Sequence, residues 1–396
     1  MLGSLFVFGV TNSRDCYNKG GCDVNNGVGI FNIGADILPV NAKRVLIIYC
    51  MDAIPWLVQG KLYQMPYLNF HSMWWESAAM VESFVKSGII VDYADYSNLP
   101  SLAWEKYDYI IDLGYVMHKI PDIKGQKKIY YSTGQHWLTH NVGELSRIRD
   151  FYYRTGIYVD AERQIKPIYA DAYADCMTYF GNEEMLKGYT ATCSKVLLNI
   201  SALSPKVEIK KDFALARNHF LWIGGGGAIH KGLDLVVEAF ASMPELTLHI
   251  IGSHTTEKGF MNWFSTMLQK HPNIIHHGWL NIESEEFCNI ARMCISIVYA
   301  SVAEGGPGSV AQAIHYGLIP IVTKTSSVRS AHLGYEIKTE NTNEIISEIV
   351  NYVRNIHDLP ESELKIMTDK VSSFATQYHT REAYTESFTN LINKLI

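Results

Sequence analysis

The chain has 396 residues, of which 47% are hydrophobic and 19% are charged, and its formal net charge is −6. This length suits two domains of ordinary size, and the composition is typical of a globular protein. The negative charge disfavours a nucleic-acid partner, because nucleic-acid-binding domains usually carry a basic excess. No apolar run reaches the length of a membrane span. The seven cysteines are irregularly spaced, which favours a reducing cytoplasm over a disulfide framework.

Residues 1–40 differ from the remainder of the chain. They are rich in Gly and Asn and show no sustained hydrophobic period. We therefore expect an N-terminal extension of short strands and turns. No role for this extension follows from its pattern.

From Arg44 onward, apolar runs of strand length alternate with amphipathic helical segments. This order predicts an α/β domain with a mostly parallel sheet over residues 41–205. A second series of the same kind predicts another such domain over residues 206–376. We expect the last helix, residues 377–396, to return to the first domain. Two such sheets in tandem leave a cleft, and ligands bind there at the carboxyl ends of the strands.

The most informative segment follows a strand and reads AEGGPGSVAQAIHYGLIPIVT, residues 303–323. Its glycines allow close approach to an anion, and the helix that starts near Gly308 offers free N–H groups. The segment therefore predicts a diphosphate site. Phosphates would repel the carboxylate of Glu304, so we expect Glu304 to bind neutral hydroxyls, such as those of a sugar. The alternative is a plain strand-to-helix turn with a solvent-exposed Glu304.

A second glycine-rich segment, IGGGGAIHKG, spans residues 223–232. It matches neither the phosphate-loop pattern nor the dinucleotide-binding pattern. Four glycines at a strand end still form a loop into which a ligand can press. Lys231, at the start of the next helix, suits a phosphate group. The alternative is a flexible turn with a surface lysine.

Together these segments resemble glycosyltransferase family 4, a group of GT-B enzymes. The resemblance covers residues 220–330 and rests on residues in matching order: Lys231, Gly232, Ser301, Glu304, Gly305, Ser309, Ala313, Gly317 and Pro320. It implies two Rossmann-like domains facing a central cleft. It also implies transfer of a sugar from a nucleotide-diphosphate donor to an acceptor hydroxyl in glycan, glycolipid or polysaccharide biosynthesis. By the same resemblance the reaction would be retaining and independent of a metal or other cofactor.

The resemblance further implies roles for single residues. Lys231 would bind the donor diphosphate, Glu304 the donor sugar, and His136 of the first domain would face that sugar. Donor-binding residues are then expected in both segments and after an intervening strand: Gly225, Gly226, Gly227, Trp279, Leu280, Gly305, Gly306, Gly308, Ser309 and Gln312. Core packing of Trp279 and a structural role for His136 are the alternatives.

Two positions depart from the family pattern. Gln312 stands where the family has its second glutamate, and Gly226 stands where an arginine often precedes the lysine. The first change alters the expected contact to the ribose, and the second removes a positive charge. We expect the two to be coupled, because a neutral residue beside the ribose avoids repelling the donor.

Other features of the first domain are less specific. His136 and His140 are spaced for zinc, but no third ligand is visible nearby, so no metal site is expected. Trp74 and Trp75 have aromatic faces that suit a glycan or lipid-linked acceptor, or they pack in the core. The basic stretch 118–128 suits contact with an anionic membrane surface, or it is a solvated loop. The expected location is the cytoplasm, including its membrane face.

Two other functions stay open. One is a nucleotide-sugar epimerase or hydrolase with the same fold. The other is a non-catalytic partner subunit, which Gln312 and the missing arginine favour. The donor base, the sugar and the acceptor do not follow from the sequence.

Overall fold

The computed structural model describes residues 11–12, 29–190, 192–206, 209–252 and 257–396. Most of the expected extension, residues 1–10 and 13–28, lies outside the described residues. The described chain forms two α/β units with mainly parallel sheets. The predicted fold class is therefore confirmed.

The sheet of the first unit has the order β1-β2-β4-β3-β5-β6-β7-β8. From β4 to β8 its neighbouring strands are parallel, whereas β1 and β2 are antiparallel at one edge. Its strands are β1 (Thr11–Asn12), β2 (Gly29–Ile33), β3 (Arg44–Tyr49), β4 (Ile90–Asp95), β5 (Tyr109–Asp112), β6 (Lys127–Tyr130), β7 (Cys176–Tyr179) and β8 (Ser194–Leu197). The helices of this part of the chain are α1 (Ile54–Val58), α2 (Ser72–Lys86) and α3 (Trp137–Thr155).

Strand β2 lies in the segment that the sequence pattern places in an extension outside the first domain. It pairs antiparallel with β4, and its Ile30 and Ile33 side chains are buried in the core of the first unit. A side-chain network also joins it to the sheet, because Arg44 Nη2 donates to Asn32 Oδ1 at 2.6 Å and to Asp92 Oδ1 at 2.8 Å. The first unit therefore begins earlier than residue 41. The short apolar run of β2 lies in a Gly- and Asn-rich stretch, so the sequence carries no clear signal for this strand.

The sheet of the second unit has the order β11-β10-β9-β12-β13-β14, with every neighbouring pair parallel. Its strands are β9 (His219–Ile223), β10 (Thr247–Ile251), β11 (Ile274–His276), β12 (Ser296–Tyr299), β13 (Ile319–Thr323) and β14 (Tyr335–Ile337). Its helices are α4 (Phe213–Ala216), α5 (Leu233–Ala241), α6 (Lys258–Lys270), α7 (Glu285–Met293), α8 (Gly308–Ile314), α9 (Thr342–Asp358) and α10 (Glu361–Tyr378).

The last helix, α11 (Arg381–Leu395), returns to the first unit and packs on α2. Tyr384 and Phe388 are fully buried in the same apolar cluster as Phe84 of α2. The ring centroid of Phe388 lies 5.7 Å from that of Phe84 and 6.0 Å from that of Tyr384. The C-terminal helix is thus part of the core of the first unit.

Helix α3 follows a strand of the first unit but is anchored in the second. Its Phe151 is fully buried in the apolar core of the second unit. Arg154 forms ion pairs with two residues of α5, Asp234 and Glu238. The helix therefore holds the two units in a defined relative position.

Within the described residues, no helix combines the length and the apolar character that crossing a membrane requires.

Replacing Phe388 by alanine should destabilise the first unit by about 3–5 kcal/mol, because it leaves a cavity between α11 and α2. Glu386→Ala on the exposed face of the same helix is the matched control, and should change stability by less than about 0.5 kcal/mol. Urea unfolding followed by circular dichroism measures both. Equal stabilities of the two variants would contradict the packing of α11.

Candidate functional site

Two turns meet where β9 and β12 end at the same edge of the second sheet. Lys231 follows β9, Glu304 follows β12, and Lys231 Nζ lies 2.9 Å from Glu304 Oε1. The hydroxyl of Tyr299, at the end of β12, donates to the same carboxylate oxygen at 2.9 Å and accepts from Lys231 Nζ at 3.2 Å. The structure thus brings together Lys231 and Glu304, the residues that the sequence predicts to bind the diphosphate and the sugar of a donor.

A glycine makes this meeting of turns possible. Gly232, next to Lys231, has a φ of +70°, and a Cβ at this position would lie 2.3 Å from the carbonyl oxygen of Ala300. Any other residue would be strained in backbone conformation and would push the two turns apart. Gly232 therefore fixes the start of α5, and with it Lys231, against the end of β12.

The ion pair is largely buried, with side-chain exposures of 12% for Lys231 and 15% for Glu304. Burial alone would raise the pKa of Glu304. The positive charge of Lys231 and the other neighbouring groups outweigh this effect and lower the pKa to about 2. Glu304 is therefore ionised at neutral pH, and Lys231 is its counter-ion.

The glycine loop has a closed side and an open side. The N–H groups of Gly227 and Ala228 both donate to the carboxylate of Glu257, at 2.8–2.9 Å. Gly225 and Gly226 are exposed, and no atom lies within 4 Å of the position of a Cβ on either. The neighbouring Gly224 packs on Lys231, since a Cβ there would lie 3.1 Å from Lys231 Cδ, so a ligand reaching that lysine can press against Gly225 and Gly226.

The turn between β12 and α8 is accessible to a ligand only where α8 begins. A Cβ on Gly305 would lie 2.3 Å from the Thr133 carbonyl oxygen, and one on Gly306 would lie 3.0 Å from Gly181 N. These two glycines therefore pack against the backbone of the first unit. Gly308, in contrast, is exposed with no atom within 4 Å of a Cβ. Of the three glycines of this turn that were expected to bind the donor, Gly308 is thus accessible, whereas Gly305 and Gly306 join the units.

Of the two histidines considered in the first domain, His140 and not His136 faces the second unit. His136 caps α3, accepting from Leu138 N at 3.4 Å, and its ring packs on Tyr189 of its own unit. The ring centroid of His140, one turn along α3, lies 4.4 Å from that of His230 in the glycine-loop segment. His140 is therefore the histidine of this pair that contacts the glycine-loop segment, and the role of His136 toward a donor sugar stays a prediction.

Gln312 does not offer a free amide to a ribose. Its Oε1 accepts from Leu203 N at 3.0 Å, and its Nε2 donates to Leu203 O at 2.8 Å. Leu203 lies in the connection between the units, so this reciprocal pair fastens that connection to α8. A ribose contact by Gln312 would require breaking this pair, and that contact and its coupling to Gly226 stay predictions.

Trp279 lies at the mouth of the cleft. It is 53% exposed, and its ring packs edge-on against Phe70 of the first unit at a centroid distance of 4.9 Å. Core packing of Trp279 is therefore excluded, whereas Leu280 is half-buried against the core of the second unit. Trp75 is buried in the first unit, so it packs in the core and is not part of an exposed acceptor surface.

Three side chains near the glycine loop could together ligate a metal ion. His140, Glu144 and His230 bring one ligand atom each within 4.8 Å of one another. Both histidines bond a backbone carbonyl through Nε2, His140 at 2.7 Å and His230 at 2.8 Å. Glu144 already accepts N–H groups from Arg163 at 2.6 Å and Glu162 at 3.0 Å. Its carboxylate is therefore committed to holding the segment that follows α3.

Two residues of the first unit near the ion pair had no assigned role in the donor site. His71 caps α2 through Nδ1, and burial followed by the charges of Lys231 and Arg163 lowers its pKa. Arg163 lies across Gly227. Both come from segments without a motif, and only the docking of the two units places them here.

Comparisons with known proteins agree with this architecture. Residues 214–361 match the family described as glycosyl transferases group 1. The solved structure of a sucrose-phosphate synthase from Thermosynechococcus elongatus is 11% identical, with a TM-score of 0.57 over 89% of this chain and 99% of that chain. The apo form of the lipopolysaccharide outer core galactosyltransferase WaaB is 12% identical, with a TM-score of 0.54 over 89% of this chain and 100% of that chain.

Other solved structures are longer than this chain. The pneumococcal O-GlcNAc transferase GtfA is 15% identical, with a TM-score of 0.48 over 72% of this chain and 56% of that chain. The chain therefore spans just over half the length of that protein. No curated protein matches the chain significantly in sequence. The comparisons confirm the predicted GT-B fold and the resemblance to group 1 glycosyltransferases, and membership of family 4 stays a prediction.

Replacing Gln312 by glutamate should weaken the connection between the units. The carboxylate cannot donate to Leu203 O and repels it, so we expect a loss of about 1–3 kcal/mol in the free energy of unfolding. Gln377→Glu, at an exposed position of α10, is the control. A Gln312→Glu protein as stable as this control in urea would contradict the fastening role.

The stabilising effect of Glu304 should depend on pH. Its pKa is about 2 in the folded chain and 4.5 ordinarily, so its contribution is complete above pH 4.5 and is lost as the pH falls through 2. Glu304→Gln should cost about 1–3 kcal/mol at pH 7, and the difference from the unmodified protein should narrow between pH 4.5 and pH 2. Urea unfolding at pH 7, 5 and 3 tests this, and a difference independent of pH would refute it.

Proposed function

We propose that this protein transfers a sugar from a nucleoside-diphosphate donor to an acceptor hydroxyl, because residues 214–361 match the group 1 glycosyltransferase family and the chain has a GT-B fold. The observation that carries the proposal is the Lys231–Glu304 pair at the carboxyl edge of the second sheet. The turns that carry this pair also contain Gly225, Gly226 and Gly308, and no atom lies within 4 Å of a Cβ on any of these three. A cation and a carboxylate side by side suit a ligand with a phosphate next to a sugar.

The ammonium group of Lys231 binds the donor diphosphate. It has three N–H donors, of which one goes to Glu304 and one to Tyr299. The remaining donor serves a phosphate oxygen without breaking the ion pair. In the reaction, the bond from the anomeric carbon to the phosphate oxygen breaks and the bond to the acceptor oxygen forms. The hydroxyl proton passes to the leaving diphosphate, and Lys231 stabilises the negative charge on that group.

The carboxylate of Glu304 binds hydroxyl groups of the donor sugar. Lys231, Tyr299 and Ser301 all approach Oε1, at 2.9, 2.9 and 3.4 Å. This leaves Oε2 to accept from the sugar, as an ionised carboxylate does at neutral pH. His140, neutral because burial lowers its pKa, lies on the first-unit side of the same cleft.

The exposed Trp279 and Phe70 rings at the cleft mouth extend the site. Their faces suit a nucleobase on the second unit and a sugar ring of the acceptor on the first. The acceptor proposed is a glycan or a lipid-linked glycan, at the cytoplasmic side of a membrane. The reaction proposed is retaining, in line with the family resemblance, and needs no metal because side-chain cations bind the diphosphate.

The donor is identified by thermal-shift screening with UDP, GDP, ADP, CMP and their sugar conjugates. A stabilising nucleotide sugar, incubated with candidate acceptors, should give the glycosylated product and the free nucleoside diphosphate. Release of free sugar or of an epimer without transfer would favour a hydrolase or epimerase. Binding with no turnover of any kind would refute the enzyme proposal.

The two residues of the ion pair should have separable effects. Lys231→Ala should weaken nucleoside-diphosphate binding by about 10- to 100-fold, the effect of one charged hydrogen bond. Glu304→Gln should lower kcat by about 10- to 100-fold while nucleoside-diphosphate affinity stays equal or rises, because Lys231 loses its competing counter-ion. Lys270→Ala, an exposed lysine of α6, is the control. Loss of diphosphate affinity in Glu304→Gln with unchanged kcat would reverse the assignment.

A further inference from the structure

The glycine loop of the second unit offers little positive charge to a diphosphate. The N–H groups of Gly227 and Ala228 already donate to Glu257. The charge of Lys231 is balanced by Glu304 at 2.9 Å. A nucleoside diphosphate brings several negative charges, so its binding calls for a further cation at this loop.

Such a cation reaches the loop from the first unit. Arg163 follows α3, and its side chain lies across Gly227, where a Cβ would be 2.5 Å from Arg163 Cγ and 2.7 Å from Cδ. The lack of a side chain on Gly227 therefore makes room for the arginine. The Arg163 side chain is exposed, and within the part of the chain that the structure describes its guanidinium forms no hydrogen bond or ion pair.

The backbone beneath this open side chain is tightly held. The Arg163 N–H donates to Glu144 Oε1 at 2.6 Å, and His140 Nε2 donates to the Arg163 carbonyl at 2.7 Å. Ile165, two residues after Arg163, is held in the same way, because Asn141 donates to its carbonyl at 2.8 Å and accepts from its N–H at 2.9 Å. All three supporting side chains project from α3. The buried polar cluster of His140 and Glu144 therefore fixes the position from which the guanidinium extends.

The charge of Arg163 acts on the donor site. Burial raises the pKa of Glu304, and Arg163 is one of the positive groups, after Lys231, that lower it. The pKa of His71 is lowered first by burial and then by Lys231 and Arg163. The guanidinium lies at Gly227, where a Cβ would be 3.4 Å from Arg163 Nε, and its charge acts on the ion pair from the side of the cleft that belongs to the first unit.

We propose that Arg163 is a donor-binding residue that holds the diphosphate together with Lys231. The proposal rests on the proposed nucleoside-diphosphate site. A guanidinium presents paired N–H donors to phosphate oxygens, and Arg163 supplies the positive charge that Gly226 does not. Since Arg163 and Lys231 belong to different units, the bound diphosphate bridges the cleft.

The test is isothermal titration of UDP, GDP and ADP, each compared with its own nucleoside, on the full-length protein. Arg163→Gln should raise the Kd of the diphosphate that binds by about 10- to 100-fold and leave the affinity for the nucleoside unchanged. The Kd of Arg163→Lys should lie between those of the unmodified protein and Arg163→Gln, because lysine keeps the positive charge but lacks the paired N–H donors. Lys166→Gln removes an exposed charge three residues away and should bind like the unmodified protein.

The possible results separate this inference from the proposed function. If the unmodified protein and Lys166→Gln bind a diphosphate and Arg163→Gln binds it within twofold, the role of Arg163 is refuted and the donor site stands. If the unmodified protein binds none of the three diphosphates or any other nucleoside diphosphate, both proposals fail. A loss in Arg163→Gln that equals the loss in Lys166→Gln would indicate general charge attraction and would also overturn the specific contact.

Discussion

The docking of α3 on the second unit is the constraint on which the rest of the site depends. Phe151 is buried in an apolar core to which its own sheet does not contribute, and Arg154 places its charge between Asp234 and Glu238. Removing either partner of such a shielded ion pair leaves an unpaired charge, which is strongly unfavourable. Helix α3 is thereby fixed in position and rotation, and so are the polar side chains that it directs toward the glycine loop.

That polar face determines which groups of the first unit reach the glycine loop. His140 packs on His230, and Glu144 holds the segment that carries Arg163. His140 and Glu144 have their hydrogen-bond partners in the first unit, and His230 has its partner, the Ala303 carbonyl, in the second. The packing of the two histidine rings therefore joins two polar groups that are each already held in position by their own unit. The site between the units is consequently preorganised before any ligand binds.

Contacts between backbones complete the junction. Gly305 touches the carbonyl of Thr133, and Gln135 Nε2 donates to the Thr325 carbonyl at 2.8 Å. Gln312 binds the connection between the units through both ends of its amide. The same segment, residues 303–323, therefore contributes Glu304 to the proposed donor site and also forms the surface on which the first unit rests. Its glycines have a structural reason to be there, independent of any ligand.

The sequence by itself determined the two α/β units and the meeting of Lys231 with Glu304. Apolar strands separated by helices imply a parallel sheet, and the carboxyl ends of parallel strands share one edge, so residues following β9 and β12 are brought together once these strands are neighbours. Such information is local, because each strand, turn and helix is written in a short stretch of residues. Only the tertiary structure decided that His140 and not His136 packs on His230, that Gln312 binds Leu203, and that Arg163 lies across Gly227. These contacts join residues 64 to 109 positions apart. Those of His140 and Arg163 follow from how α3 docks on the second unit, which no hydrophobic period in either segment encodes.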